Sequence, residues 1–261
     1  MSMPSSLGTI RRTLSIPRMS TFESAAGVTA SDDPRALALY AWNARVSAAL
    51  LAPLHICEVV IRNAASEAIE QVYGPRWPWQ IGFEQSLPSP RTGYNPQRDL
   101  QNARSRVTTT GKAIPELKFV FWQRLFTSRH DQRLWEPYLR LVLPNLVLTK
   151  TVAQLREEVY DDLEQIRTLR NRIAHHEPVF ARNLRDDLGK IVALIEYRAK
   201  ETANWMMANQ QATAILAEPR MRPSASTIAV VAYFLWRARS GDYGNAEGDW
   251  LAAEARLRGL V

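Results

Sequence analysis

The sequence predicts an all-α protein: a helical bundle with a long loop insertion and a C-terminal helical hairpin. Three observations carry that reading. Apolar residues recur at intervals of three and four in most segments between Pro34 and Ala208, the helical period. The residues that interrupt them are Asp, Asn, Pro and Gly, which start and stop helices. No alternating strand pattern competes with the helical one in the long segments after Thr151.

Residues 1–32 are rich in Ser, Thr, Pro and Gly without a sustained period, which predicts a flexible leader. Asp32-Asp33-Pro34 offers an N-cap with Pro in the first turn, and Leu39, Trp42, Val46 and Leu50 then mark a helix. Pro53 is expected to break it, with Leu54–Val72 resuming as a second helix. Gly74–Tyr94 reads as a long connecting loop pinned by its tryptophans, followed by a helical register from Asn95-Pro96 to about Thr110. Pro115–Thr127 reads as a buried helix, although Phe119-Val120-Phe121-Trp122 alone fits a strand. Arg129-His130-Asp131 reads as a loop and Leu134–Leu143 as a short helix.

Thr151–Ala174 is the longest uninterrupted pattern, with Val152, Leu155, Val159, Leu163, Ile166, Leu169 and Ile173 on one face. Its carboxylates come early and its arginines late, which complements the helix dipole at both ends. Asn183–Ala208 predicts one further helix. The main domain therefore spans 33–208, residues 209–226 read as a linker, and 227–261 read as a small helical hairpin, too short to be stable without a neighbour.

Forty-six per cent hydrophobic residues and eight Trp exclude a disordered chain. A net charge of +7 favours an anionic partner such as nucleic acid. Only five of the 33 basic residues are Lys, which suits bidentate phosphate recognition and equally fits a composition bias of the source genome. The single cysteine, Cys57, excludes an internal disulfide and reads as a core residue. Arg11-Arg12 lacks the apolar stretch an export signal needs, and no run of about 18 apolar residues suggests a membrane span. The expectation is a cytoplasmic protein.

The chemistry concentrates in Leu169-Arg170-Asn171-Arg172-Ile173-Ala174-His175-His176-Glu177-Pro178, which closes the long helix. On an ideal helix Asn171 and His175 share a face, and Arg170 lies roughly 140° from His175. Pro178 disfavours helical geometry at Glu177, so both histidines are expected in a frayed last turn, where terminal carbonyls favour the protonated ring. Imidazole can take the proton of a ribose 2′-hydroxyl or give one to the leaving 5′-oxygen, and guanidinium can stabilise charge on the phosphoryl oxygens. RNA supplies its own nucleophile, so neither metal nor cofactor is required. The structural alternative pairs Arg170 with Glu177 or Glu58 and leaves the histidines as caps.

That run resembles the signature of the Abi-like proteins, bacterial abortive-infection relatives within the HEPN superfamily: an Arg, a polar residue, then His after four to six intervening residues. Arg170, Asn171 and His175 match it, and His176 also falls within the spacing. The resemblance extends over Tyr40-x-Trp42-Asn43, Pro53-Leu54-His55, Glu58-x-x-x-Arg62-Asn63, Phe121-Trp122 and Leu134-Trp135, hence over roughly 33–208. It implies a HEPN-like bundle that forms a homodimer, with Arg170 and His175 of two protomers facing one cleft. Many such proteins are metal-independent endoribonucleases that leave a 2′,3′-cyclic phosphate and others only bind RNA or partners, so the resemblance points to a nuclease of phage-defence or toxin type and leaves room for an antitoxin or regulatory partner. Some relatives carry a modifiable Tyr two residues after the His, where this chain has Glu177 or Pro178.

Catalysis is thus assigned to Arg170, Asn171, His175 and His176. Glu58 and Arg62, four apart on an earlier helix, either complete the cleft or form an ordinary intrahelical ion pair. His55 reads as a core histidine, His130 as a loop residue, and no residues have the spacing of a zinc ligand set. Two other readings stay open: a non-catalytic dimer that binds RNA or protein, and a regulatory adaptor acting through the C-terminal hairpin. The hairpin, with Leu235-Trp236 and Asp249-Trp250-Leu251, resembles a small bacterial module of unknown function and carries no catalytic residues.

Overall fold

The computed structural model describes residues 6–28, 33–220, 225–238 and 245–258, and every regular element among them is helical. In chain order these are α1 (Ser6–Thr13), α2 (Ile16–Ala25), α3 (Pro34–Tyr73), α4 (Ile81–Ser86) and α5 (Pro96–Ser105). Next come α6 (Thr110–Glu116), α7 (Phe119–Leu125), α8 (Glu136–Val142), α9 (Val152–Ala174) and α10 (Leu184–Arg198). The chain closes with α11 (Lys200–Asn209), α12 (Ala212–Ala217), α13 (Ala225–Ala238) and α14 (Ala246–Arg258). They fall into two compact units, Ala49–Gln210 and Met1–Ala48 with Gln211–Val261.

In the Ala49–Gln210 unit, α3 does not break at Pro53 as expected. Proline in a helix interior costs about 3 kcal/mol. Leu50, Leu54, Cys57, Ile61 and Ile69 are all buried along the continuous helix, and each large apolar side chain contributes roughly 1.5–3 kcal/mol. That stripe outweighs the local penalty. His55 falls off the stripe and is exposed, so it is not the core histidine expected.

The expected loop over Gly74–Tyr94 contains a 3-10 turn at Trp77–Trp79 and then α4. Trp77 does pin it: the ring is fully buried, meets Phe83 edge-on with centroids 5.2 Å apart, and donates from Nε1 to Ser66 Oγ at 3.0 Å. The register expected to run from Asn95 to Thr110 closes earlier, at Ser105, and Phe119-Val120-Phe121-Trp122 is helical in α7. His130 is not in a loop but in a 3-10 turn, Ser128–His130, leading into a π-helical turn, Asp131–Trp135. It is only 2% exposed, and burial, then Arg133 and Arg129, pushes its pKa down to about 4. Cys57 is a core residue whose thiol burial pushes up to about 12.

Helix α9 is the axis of this unit and packs against α7, α8, α10 and the π-helical turn. Leu155, Val159, Leu163, Ile166, Leu169 and Ile173 are buried along it. The single helix expected over Asn183–Ala208 is divided into α10 and α11, because Ala199 is extended (φ −158°, ψ 118°).

In the other unit the segments expected to be a leader and a linker carry structure. Met19 and Phe22 of α2 are buried, Phe22 packs on Tyr40 with centroids 4.8 Å apart, and Arg11 pairs with Glu23. A few well-placed apolar side chains suffice for this without a long period. Asp33 caps α3, accepting the Arg35 backbone N–H at 2.8 Å; Asp32 lies outside the described residues. Residues 212–217 form α12, where the Ile215 carbonyl accepts from Trp42 Nε1 at 3.3 Å, and Glu218 pairs with Arg45 at 2.7 Å. Helices α13 and α14 pair through Ile228 and Ala253, flanked by Val231, Ala232, Leu235 and Trp250.

One helix among the described residues, α3, meets a length-and-composition test for a membrane span, with a mean hydropathy of 1.6 over 18 residues. A core helix meets the same test, and α3 carries the buried stripe above together with Arg45, Glu58 and Arg62.

Candidate functional site

The C-terminal end of α9 is ordered rather than frayed. Ala174 is its last helical residue and His175 its C-cap. The Glu177 N–H reaches back to the Arg172 carbonyl at 2.8 Å and the His176 N–H to the Ile173 carbonyl at 3.0 Å. This pair of bonds is the Schellman closure, which satisfies carbonyls a helix end leaves open. It requires a left-handed residue after the cap, and His176 takes that conformation with φ 56°. Glycine does so without strain, whereas a side chain there costs of order 1–3 kcal/mol, and such strain collects at functional sites.

With the helix intact, the directions of Arg170 and His175 stay roughly 140° apart, so one chain does not aim both at one point. This corrects the expectation that the histidines swing round in a loosened turn. The closure that prevents it is the Schellman pair itself. Asn171 lies one turn before His175, and its carbonyl accepts the His175 N–H at 2.9 Å.

Arg170, His175 and His176 are all exposed. Among the described residues, the Arg170 and His175 side chains make no hydrogen bond or ion pair. The acids that could have neutralised Arg170 are engaged elsewhere. Glu177 pairs with Arg172 at 3.7 Å, and Glu58 pairs with Arg62 on α3. Arg172 also donates from Nε to the Pro178 carbonyl at 3.0 Å.

Glu58 and Arg62 do form the intrahelical pair, and Arg62 is also close to the motif. Its pKa is lowered by burial and then by the positive charge of Arg170. Two guanidiniums thus share one neighbourhood, and only one has an acid. The buried Arg62 Nε has no partner among the described residues. An unmet buried donor costs about 1–3 kcal/mol, so this is not an arrangement that stability alone favours.

The site therefore presents an uncompensated guanidinium, an exposed imidazole and a second guanidinium from another helix. The guanidiniums can bind an anion, and the imidazole, facing another side of the helix end, can exchange a proton. Among the described residues no group of three or more His, Cys, Asp or Glu could hold a metal ion. The strain at His176 was missed from the sequence; the one available signal was the absence of Gly between the last apolar residue and Pro178.

Comparison with known proteins adds one match. No curated protein and no solved structure matches the chain. A family model described as a protein of unknown function, DUF2934, matches residues 224–259, the segment that carries α13 and α14.

Proposed function

We propose that the chain is an Abi-like, HEPN-type protein acting in the cytoplasm as a metal-independent endoribonuclease in phage defence or as a toxin. His175 exchanges the proton of the 2′-hydroxyl or of the leaving oxygen, and Arg170 stabilises charge on the phosphoryl group. Asn171 orients His175, and His176 supports it by closing the helix. The observation that carries this reading is the exposed Arg170 and His175, both without an acidic partner among the described residues, with Arg170 beside the half-buried Arg62. A structural helix end would have used Glu177 or Glu58 to neutralise Arg170.

The homodimer that the resemblance implies brings Arg170 and His175 from two copies of the chain to one cleft, which is compatible with an α9 that holds them apart within one copy. Glu58 and Arg62 support it by fixing the local charge. The test is incubation of the full chain with total cellular RNA in chelator, beside His175→Ala/His176→Ala, with the product ends mapped chemically. Cleavage by the wild type alone, leaving 2′,3′-cyclic phosphates, is the expected result. RNA that binds in a salt-sensitive way but is never cut would replace the nuclease with a binding dimer.

A further inference from the structure

A second cationic feature lies in the Ala49–Gln210 unit, on α5. Asn95 caps this helix by accepting the Arg98 N–H at 2.9 Å, and Arg98, Asn102 and Arg106 follow at intervals of four. Two adjoining cavities, of about 220 and about 190 Å³, open along this face and share Asp99, Asn102 and Lys118 as walls. Arg91 and Arg98 line the first, and Arg106 and Glu116 the second.

The charges in this groove lean positive, with Arg91, Arg98, Arg106 and Lys118 facing Asp99 and Glu116. Asp99 is buried and already engaged, accepting from the Tyr94 hydroxyl at 2.7 Å and from the Lys118 N–H at 3.3 Å, and its carboxylate pairs with Lys118 Nζ at 4.0 Å. Among the described residues Arg91, Arg98 and Arg106 form no ion pair, whereas the neighbouring Arg104 is held by Glu84. Each cavity falls below the ~300 Å³ at which pockets begin to enclose a small molecule. Two adjoining cavities whose joint lining carries more basic than acidic groups, with the excess in the first, suit an extended polyanion laid across them.

We propose that this groove grips consecutive phosphates of single-stranded RNA, as an anchoring site separate from the Arg170 motif. The proposal rests on the reading of the chain as an RNA-acting protein. Arg98 and Arg106 hold successive phosphates bidentately, Arg91 widens the positive field, and Asn102 donates between them. The contacts are to the backbone, so the grip is indifferent to base sequence.

The test is fluorescence anisotropy of a 2′-O-methylated single-stranded oligoribonucleotide, which 2′-hydroxyl attack cannot cut, titrated with the full chain over a series of salt concentrations. Arg98→Gln/Arg106→Gln removes two phosphate contacts. It is expected to weaken binding by about tenfold or more and to flatten the slope of log affinity against log salt by about 1.4. Arg98→Lys/Arg106→Lys keeps the charge and is expected to retain most of the slope. Wild-type affinity and slope in the Gln variant, or no binding by the wild type, would overturn the groove. Cleavage of unmodified RNA by the wild type, run in parallel, reads the nuclease proposal separately. Groove-dependent binding without cleavage upholds the groove and removes the nuclease, and cleavage with groove-independent binding does the reverse.

Discussion

The two ends of α9 are built on opposite principles. At the N-terminus the capping residues and several charged side chains find partners. Thr151 accepts the Gln154 N–H while Gln154 accepts the Thr151 N–H at 2.9 Å, a reciprocal cap. Arg156 pairs with Asp131 at 3.0 Å, Lys150 with Glu158, and Lys190 with Asp162. At the C-terminus Arg170 and His175 have no acidic partner among the described residues, Arg62 sits close to a like charge, and His176 holds a left-handed backbone. The first end is arranged for stability and the second forgoes stability that neighbouring acids could supply. Uncompensated groups on a rigid, well-packed helix are positioned to act on something outside the chain.

If that contrast is right, substitutions should separate into those that unfold the protein and those that only silence it. The largest loss of stability is expected in the core that both ends share. Leu163 is fully buried, and Leu163→Ala should cost about 2–5 kcal/mol by chemical denaturation. A loss under about half a kcal/mol would contradict the facing of α9. Acid should act next. His130 is neutral and buried in the folded chain, with a pKa of about 4. In the unfolded chain it takes up a proton near its ordinary value of 6.5, so protons favour the unfolded state between these limits. Stability should therefore fall as the pH drops from about 6.5 to about 4, by about 3 kcal/mol in all. His130→Gln should flatten that dependence, and an unchanged pH profile would argue against the buried neutral ring. At the N-terminal end of α9, Thr151→Ala removes the cap and should cost about 1 kcal/mol while RNA cleavage persists. Loss of cleavage in a folded Thr151→Ala protein would break the division of labour between the two ends.

Much of this contrast is legible in the sequence, because α9 combines a long apolar stripe with Thr151 at one end and the Arg170 to His176 run at the other. The facing of its core and its start follow from periodicity and capping alone. What was not legible depends on contacts remote in sequence. Pro53 obeys a local rule that the buried stripe of α3 overrides. His55 has apolar neighbours and is exposed, whereas His130 has charged neighbours and is buried, since burial depends on which face meets the core. Helix α2 and α12 are too short to declare a period, and what orders their segments is contact with Tyr40, Trp42 and Arg45. Arg98 falls in the helical register that opens at Asn95-Pro96, but only the fold brings Arg91 and Lys118 beside it. The engagement of Glu58 and Glu177 by Arg62 and Arg172 could not be read either, since spacing permits several pairings.

The most direct measurement pairs thermal melting with RNA cleavage for Arg170→Ala in chelator. Arg170 is exposed and without an acid among the described residues, so the account predicts stability within about half a kcal/mol of the wild type. Cleavage should fall at least about a hundredfold, as expected for loss of a charge-stabilising group. Cleavage at the wild-type rate, or a loss of activity that merely follows a loss of folded protein, would contradict the assignment of function to this end of α9.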